Sequence, residues 1–289
     1  MDEDVSIVIP VHGNAKFLID ALNSVESQKT AINFLIYIVL DRPSNSTLNY
    51  INSKRTNPLY SVIQSSGVGL VSALNSGIKS SKGRYIARFD SDDLMDENRI
   101  QKQFSFLEAN LDVVLLGSNF IQIDSLGQKI VERRMALRDS DIRRIMYTRS
   151  PFAHPSVMIR SSALQLLSGP YNEKYLRAED HDLWLRLSNL GQLANLDEFL
   201  IYYRKHEEQY SFSQGISEAL YSRFAVLSHK QFAVGKVSVD QKFESLESWV
   251  QSPRGRLEQV KLIASFRLRG MASKIRSLLL SSRAPNFKL

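Results

Sequence analysis

Apolar residues fall in short runs alternating with helix-period segments over the first 118 residues. Val5-Ser6-Ile7-Val8-Ile9-Pro10 is β-branched and closed by proline, which predicts a buried strand. From Ala15 to Gln28, Phe17, Leu18, Ala21, Leu22 and Val25 share one helical face. Strands are predicted over Asn33–Leu40, Tyr60–Gln64, Tyr85–Phe89 and Val113–Leu116. Helices are predicted over Leu70–Lys79, through Leu70, Leu74 and Ile78, and over Arg99–Glu108. This alternation predicts an α/β sandwich with a mainly parallel central sheet. Ligands of such sheets lie beyond the carboxyl ends of the strands, here just after Pro10, Leu40 and Phe89.

After residue 118 the pattern changes. Phe120–Asp124 and Lys129–Arg133 flank Leu126-Gly127 as a predicted hairpin, and a polar stretch over Asp139–Met146 follows. A short strand is predicted at Ser156–Ile159, a helix at Asp182–Leu190 and a last strand at Leu200–Arg204. From Gly215 the chain reads as helical. Leu257, Val260, Ala264, Leu268, Met271, Ile275 and Leu278 recur every three or four residues, with most arginines and lysines off that stripe. The expected division is 1–118 for nucleotide binding, 119–212 for the acceptor, and 213–289 as a helical basic extension.

Composition is that of an ordinary globular protein, 43% hydrophobic and 23% charged in 289 residues. The absence of cysteine excludes disulfides and thiolate metal sites and fits a reducing compartment. No apolar run has the ~18–20 residues of a membrane span. The acidic start, Asp2-Glu3-Asp4, is not that of a secretory leader, so a cytoplasmic location is expected. The net charge of +7 is local: residues 242–289 hold 10 basic and 3 acidic side chains, and the remainder is neutral. Such a tail suits an anionic partner, a membrane surface or phosphate. It lacks the interleaved aromatics of a nucleic-acid stacking surface, so nucleic acid is not expected.

Phe89-Asp90-Ser91-Asp92-Asp93 puts three carboxylates within four residues at a predicted strand end. Their repulsion calls for a cation, and Mg²⁺ or Mn²⁺ bridging carboxylates to a diphosphate would supply it. A solvated turn capping a helix is the alternative. Downstream, Glu179-Asp180-His181-Asp182 offers three carboxylates for general-base work, which the residues alone do not rank. One of those not serving as the base is expected to cap the following helix. His206, after the last strand, is read either as a metal ligand or as a backbone-bonded surface histidine, and Arg204 as a phosphate neutraliser or one half of a surface salt bridge.

Several blocks occur in order: Val5–Val11, Ser24–Gln28, Gly67–Leu70, Ala73–Ile78, Gly83–Arg88, Asp90–Asp93, His154–Met158 and Ala178–Trp184. Together they resemble the family-2 glycosyltransferases of GT-A fold, especially those building bacterial surface polysaccharides such as O-antigen, capsule and exopolysaccharide. The resemblance spans Val5 to Ser211. It implies an inverting, metal-dependent hexosyltransferase that uses a nucleotide sugar, a UDP-sugar by family habit. The implied acceptor is a glycan on a polyprenyl diphosphate, which would place the protein peripherally on the inner face of the cell membrane. It also implies roles: Asp41 for the uracil imide, Asp90 near ribose and metal, Asp92 for Mn²⁺ or Mg²⁺, and Asp180 as the base. Pro10 and Arg88 fall on the nucleotide side, and Glu179, Trp184 and His154 on the acceptor side. The sequence departs from the family at His12, where tyrosine is usual, at Arg42-Pro43 and at Ser66. Two rivals remain: a sugar-phosphate nucleotidyltransferase, which would usually carry a glycine-rich loop where Val11–Lys16 has one glycine, and a non-catalytic nucleotide-sugar-binding module.

Overall fold

The computed structural model describes residues 3–175 and 177–206 and, further on, Ser222, Arg223, Ala225, Val226 and His229. Contacts divide the chain into Met1–Ser213 and Gln214–Leu289. The helical stripe expected from Leu257 to Leu278 lies outside the described residues.

The first half alternates strand and helix: β1 Val5–Gly13, α1 Leu18–Glu26, β2 Phe34–Pro43, α2 Asn45–Lys54, β3 Tyr60–Gln64, α3 Leu70–Ser80 and β4 Tyr85–Arg88. Then come β5 Leu94–Met95, α4 Arg99–Ala109, β6 Val113–Ile123, β7 Lys129–Arg133, α5 Asp139–Met146, β8 Met158–Arg160, α6 Ser161–Gln165, α7 Glu179–Leu187 and β9 Gln192–Arg204. The sheet runs β3-β2-β1-β4-β8-β6-β9-β5, with β7 on β6. β3, β2, β1 and β4 are parallel neighbours, and β6 is parallel to β9. β8 is antiparallel to both β4 and β6, and so joins the two parallel sets.

β1 sits in mid-sheet, so both of its faces are covered and its apolar run is continuous. Fully burying a Val or Ile is worth roughly 1.5–3 kcal/mol, and Val5, Ile7, Val8, Ile9 and Val11 are all buried. α1 packs its predicted stripe of Leu18, Ala21, Leu22 and Val25 inward. On α3 the buried face is Val71, Ala73, Leu74 and Gly77, rotated from the expected Leu70–Leu74–Ile78 line. The cause is Gly77: a Cβ there would stand 2.4 Å from Val8 Cγ1, so the helix lies directly on β1 through that position.

Three expectations need correction. The apolar runs 113–116 and 120–124 form one strand, β6, which crosses Gly117 where a Cβ would meet Asn195 Oδ1 and Phe152. β9 begins at Gln192 rather than Leu200, because its polar first half pairs in parallel with β6 through register shifts. The polar stretch 139–146 is helical: Ile142 and Met146 are its buried residues, and Asp139 pairs with Arg143 one turn on. Among the described residues no helix is long and apolar enough to cross a membrane.

Candidate active site

The carboxyl ends of β1, β2 and β4 carry the polar residues, as the strand pattern requires. At the end of β2, Asp41 is buried. Its Oδ2 accepts from the Gly69 main-chain N–H at 2.9 Å and faces His12 Nδ1 at 3.1 Å, while Oδ1 accepts from Arg42 Nε at 3.3 Å. Gly69 (φ 93°) precedes α3, and Arg42 is a non-glycine residue at φ 50°. The Asp41 carboxylate is therefore held by two strand ends and a helix start. Pro10 lies on β1 beside Val39 of β2.

β4 delivers Arg88 and the acidic turn. One carboxylate oxygen from each of Asp90, Asp92 and Asp93 falls within a single 4.8 Å cluster. Asp93 is fully buried. Its Oδ1 accepts from the Arg204 main-chain N–H at 2.8 Å, and its Oδ2 has no hydrogen-bond partner. Burial, then the charges of Asp92 and Asp90, push the Asp93 carboxyl well above its ordinary range, and burial raises Asp90 despite its pairing with Arg88. Three crowded carboxylates with an orphaned buried oxygen fit a hard divalent cation such as Mg²⁺ or Mn²⁺. The capped-helix alternative does not hold: α4 starts at Arg99, five residues beyond Leu94, after an Asn98 that makes no side-chain cap.

β9 returns its end to this turn. His206 Nε2 lies 2.9 Å from Asp92 Oδ2, so the imidazole faces a side chain and not backbone. Arg204 is 2% exposed, and its Nη2 stands 3.8 Å from the exposed carboxylate of Asp20, the salt bridge that one reading of the sequence expected. Its Nε donates to the Asp92 carbonyl at 2.8 Å, Nη1 reaches the carbonyls of Asp124 and Ser125, and the guanidinium lies over the Phe17 ring. It braces the acidic turn from behind.

The second carboxylate group opens α7. Its N-cap is Ala178, with no side-chain cap, so neither Glu179 nor Asp182 takes the cap position as expected, and it is Asp180 Oδ1 that accepts from the His181 N–H of the first turn at 2.6 Å. Asp182 is buried against Arg186 at 2.7 Å, and Arg186 also holds the carbonyls of Gly169 and Pro170. Asp182 is thereby committed to structure. Glu179 and Asp180 remain. Burial and then the Asp180 charge push Glu179 up to about 7, and burial also raises Asp180. The charges of Asp90, Asp180 and Glu179 all act on Arg88 or on Tyr171, which brings the acidic turn and the start of α7 to one place. Arg88 is 4% exposed, and its Nε is unpartnered.

Trp184 is fully buried, edge-on to Phe152 and His154, so it stands behind those neighbours rather than on an open surface. Sequence reasoning passed over Tyr171, whose hydroxyl is 2.7 Å from His154 Nε2, and over the Arg99–Gln103 pair. Both members of that pair are fully buried. Arg99 Nη2 donates to the carbonyls of Arg88 and Val157, and Gln103 Nε2 to those of Leu116 and Ser156. Two long polar residues four apart on the inner face of a helix were the available signal.

The TarS fragment of Staphylococcus aureus in complex with UDP-GlcNAc has a similar fold, with TM-score 0.65 at 19% identity over 79% of this chain and 66% of that one. PcManGT of Pyrobaculum calidifontis, a mannosyltransferase in complex with GDP-Man and Mn²⁺, gives TM-score 0.58 at 12% identity over 97% of this chain and 81% of that one. Among sequences, the putative glycosyltransferase EpsE of Bacillus subtilis is 30% identical over 75% of this chain and 79% of its own length. The amylovoran biosynthesis glycosyltransferase AmsE of Erwinia amylovora is 33% identical over 57% of this chain and 62% of its own. The Glycosyl transferase family 2 model matches residues 6–167, from β1 through the acidic turn to α6. With that span, the EpsE likeness and the GT-A architecture, the chain belongs to glycosyl transferase family 2.

Proposed function

We propose that this chain transfers a hexose from a UDP-sugar to a hydroxyl of a glycan carried on a polyprenyl diphosphate, inverting the anomeric carbon, at the inner face of the cell membrane. The carrying observation is the crowded Asp90–Asp92–Asp93 cluster with its orphaned Asp93 oxygen, electrostatically joined through Arg88 to Glu179 and Asp180. Asp92, with Asp90 and Asp93 beside it and His206 against its Oδ2, would hold Mn²⁺ or Mg²⁺. The bound ion would supply Lewis-acid stabilisation of the leaving diphosphate. Asp41 takes the uracil imide, with Pro10 and Arg88 on the nucleotide side. Asp180 takes the acceptor proton as the hydroxyl oxygen bonds to the anomeric carbon, and UDP leaves with the electron pair of the broken bond. Glu179, His154 and, behind it, Trp184 shape the acceptor side. The names of TarS and PcManGT, with UDP-GlcNAc and with GDP-Man and Mn²⁺, support a nucleotide-sugar donor and a divalent ion. That of AmsE supports a polysaccharide acceptor.

The basic segment 242–289, outside the described residues, suits an anionic bilayer surface. The deciding experiment is a donor screen: the full chain, Mn²⁺, a panel of nucleotide sugars and detection of released nucleoside diphosphate. Release from a UDP-sugar upon addition of a lipid-linked acceptor is expected. Pyrophosphate from a sugar phosphate and UTP would replace this reading by nucleotidyl transfer, and no turnover with any donor would end it.

A further inference from the structure

Tyr171 is buried at the meeting point of the two halves of the site. Asn75 of α3 holds its main chain in both directions: Asn75 Nδ2 donates to the Tyr171 carbonyl at 2.8 Å, and the Tyr171 N–H donates to Asn75 Oδ1 at 2.9 Å. From the other side, Arg186 of α7 grips the carbonyls of Gly169 and Pro170. The phenol is thus fixed by a donor-side helix and by the helix that carries Glu179 and Asp180. Among the described residues its hydroxyl meets His154 Nε2, at 2.7 Å.

A buried hydroxyl needs an acceptor for its proton. Among the described residues His154 Nε2 is the acceptor within reach, so the tyrosine donates and Nε2 is the bare nitrogen. Burial with the charges of Asp180 and Glu179 drives Tyr171 far above its ordinary range, and burial with the charge of Arg88 drives His154 well below its own, so both stay neutral. The imidazole proton then resides on Nδ1. The His154 ring is held edge-on by Trp184, and its hydrogen bond to Tyr171 is made at Nε2, not at Nδ1. We infer that Tyr171 sets the tautomer of His154, so that His154 offers Nδ1–H as a hydrogen-bond donor to a sugar oxygen bound beside Glu179 and Asp180. Tyr171 is a positioning residue acting through His154, and the sugar oxygen in this inference rests on the transferase reading above.

The tautomer is measurable without substrate, by ¹⁵N NMR of the histidine-labelled full chain, with the His154 signals identified by their loss in His154→Asn. A protonated Nδ1 and bare Nε2 are expected in the wild type, and a tautomer mixture in Tyr171→Phe, which keeps the main-chain clasp of Asn75. The reverse tautomer, or no change in Tyr171→Phe, would overturn the inference whatever reaction the protein catalyses. In transfer assays Tyr171→Phe should lose about tenfold in kcat/KM, the worth of one neutral hydrogen bond. An asparagine amide overlays Nδ1 and a glutamine amide overlays Nε2. His154→Gln should therefore fall about tenfold further in kcat/KM than His154→Asn. A raised acceptor KM in His154→Gln assigns the oxygen to the acceptor, and a raised UDP-sugar KM assigns it to the donor. Equal losses in the two variants would refute the donor role of Nδ1.

Discussion

His206 Nε2 stands 2.9 Å from Asp92 Oδ2, across 114 residues of chain. The contact exists because β9 ends beside the acidic turn, where the Arg204 main chain and guanidinium bind Asp93 and the Asp92 carbonyl. An imidazole so placed fixes the direction in which Asp92 presents its other oxygen. Loss of a residue that orients or completes a metal site typically costs about 10–100-fold in metal affinity. His206→Ala should weaken Mn²⁺ binding by that factor in the presence of UDP, and Asp92→Asn should weaken it further. Titration of Mn²⁺ by electron paramagnetic resonance checks both. An unchanged Mn²⁺ affinity in His206→Ala would detach the histidine from the site.

The base must be ionised to accept a proton, and burial raises Asp180, so the rate should fall as pH drops through a value above the ordinary carboxylate range. Glu179 carries the burden of the Asp180 charge and keeps its own proton until about 7. Glu179→Gln copies that neutral state and should leave the acid limb of the kcat/KM profile in place. Asp180→Asn should lower kcat by about 10²–10⁴-fold across the profile. A large drop in Glu179→Gln with near-normal Asp180→Asn would exchange their roles.

The same displaced proton has a consequence for folding. In the unfolded chain Glu179 ionises near its ordinary 4.5, and in the native protein at about 7. Between these values the folded state holds a proton that the unfolded state has released, so stability falls as pH rises through the window and levels off above it. At 1.36 kcal/mol per unit, the shift corresponds to as much as about 3 kcal/mol. Thermal melts of Glu179→Gln should show a smaller decline in Tm from pH 5 to pH 8 than those of the wild type. Parallel declines would contradict the burial of this carboxyl in a neutral form.

Strand and helix positions in the first half were legible because they rest on local periodicity: β3 has the bounds that its apolar run predicts, and β1, α1 and α4 differ only at their ends. α2 escaped notice because Asn45–Lys54 buries little beyond Thr47 and Ile51, and its start depends on a Ser44 cap rather than on a stripe. The acidic turn and the α7 carboxylates were visible as clusters of charge. Their division of labour was not, because it depends on which acid meets Arg186, a matter of packing. The burial of Arg204 was not legible for the same reason: its carbonyl partners at Asp92, Asp124 and Ser125 come together only through the sheet. Asn75 and Tyr171, 96 residues apart, carry no local signal of their pairing.

The excess of basic side chains in 242–289 predicts membrane affinity that salt should weaken. Each Lys or Arg near an anionic surface contributes about 1 kcal/mol, screened over a Debye length of about 8 Å at physiological ionic strength. The full chain should co-sediment with vesicles containing phosphatidylglycerol and be released by molar salt, and a chain ending at residue 241 should stay in solution. Equal partitioning of the two would remove this role from the tail.

Asp182 supplies the sharpest separation of structure from chemistry among the neighbouring acids. It is buried, and its Oδ2 accepts from Arg186 Nε at 2.8 Å and from Nη2 at 2.7 Å, while the same guanidinium holds Gly169 and Pro170. Removing one partner of a buried pair strands the other charge and costs about 3–5 kcal/mol. Asp182→Ala should therefore lower Tm and loosen the loop that positions Tyr171, yet retain measurable transfer below its melting temperature. Asp180→Asn should melt close to the wild type and be inactive. The opposite pattern, a stable but dead Asp182→Ala beside an active Asp180→Asn, would move the base one helical step inward and force Arg186 into the role of its activator.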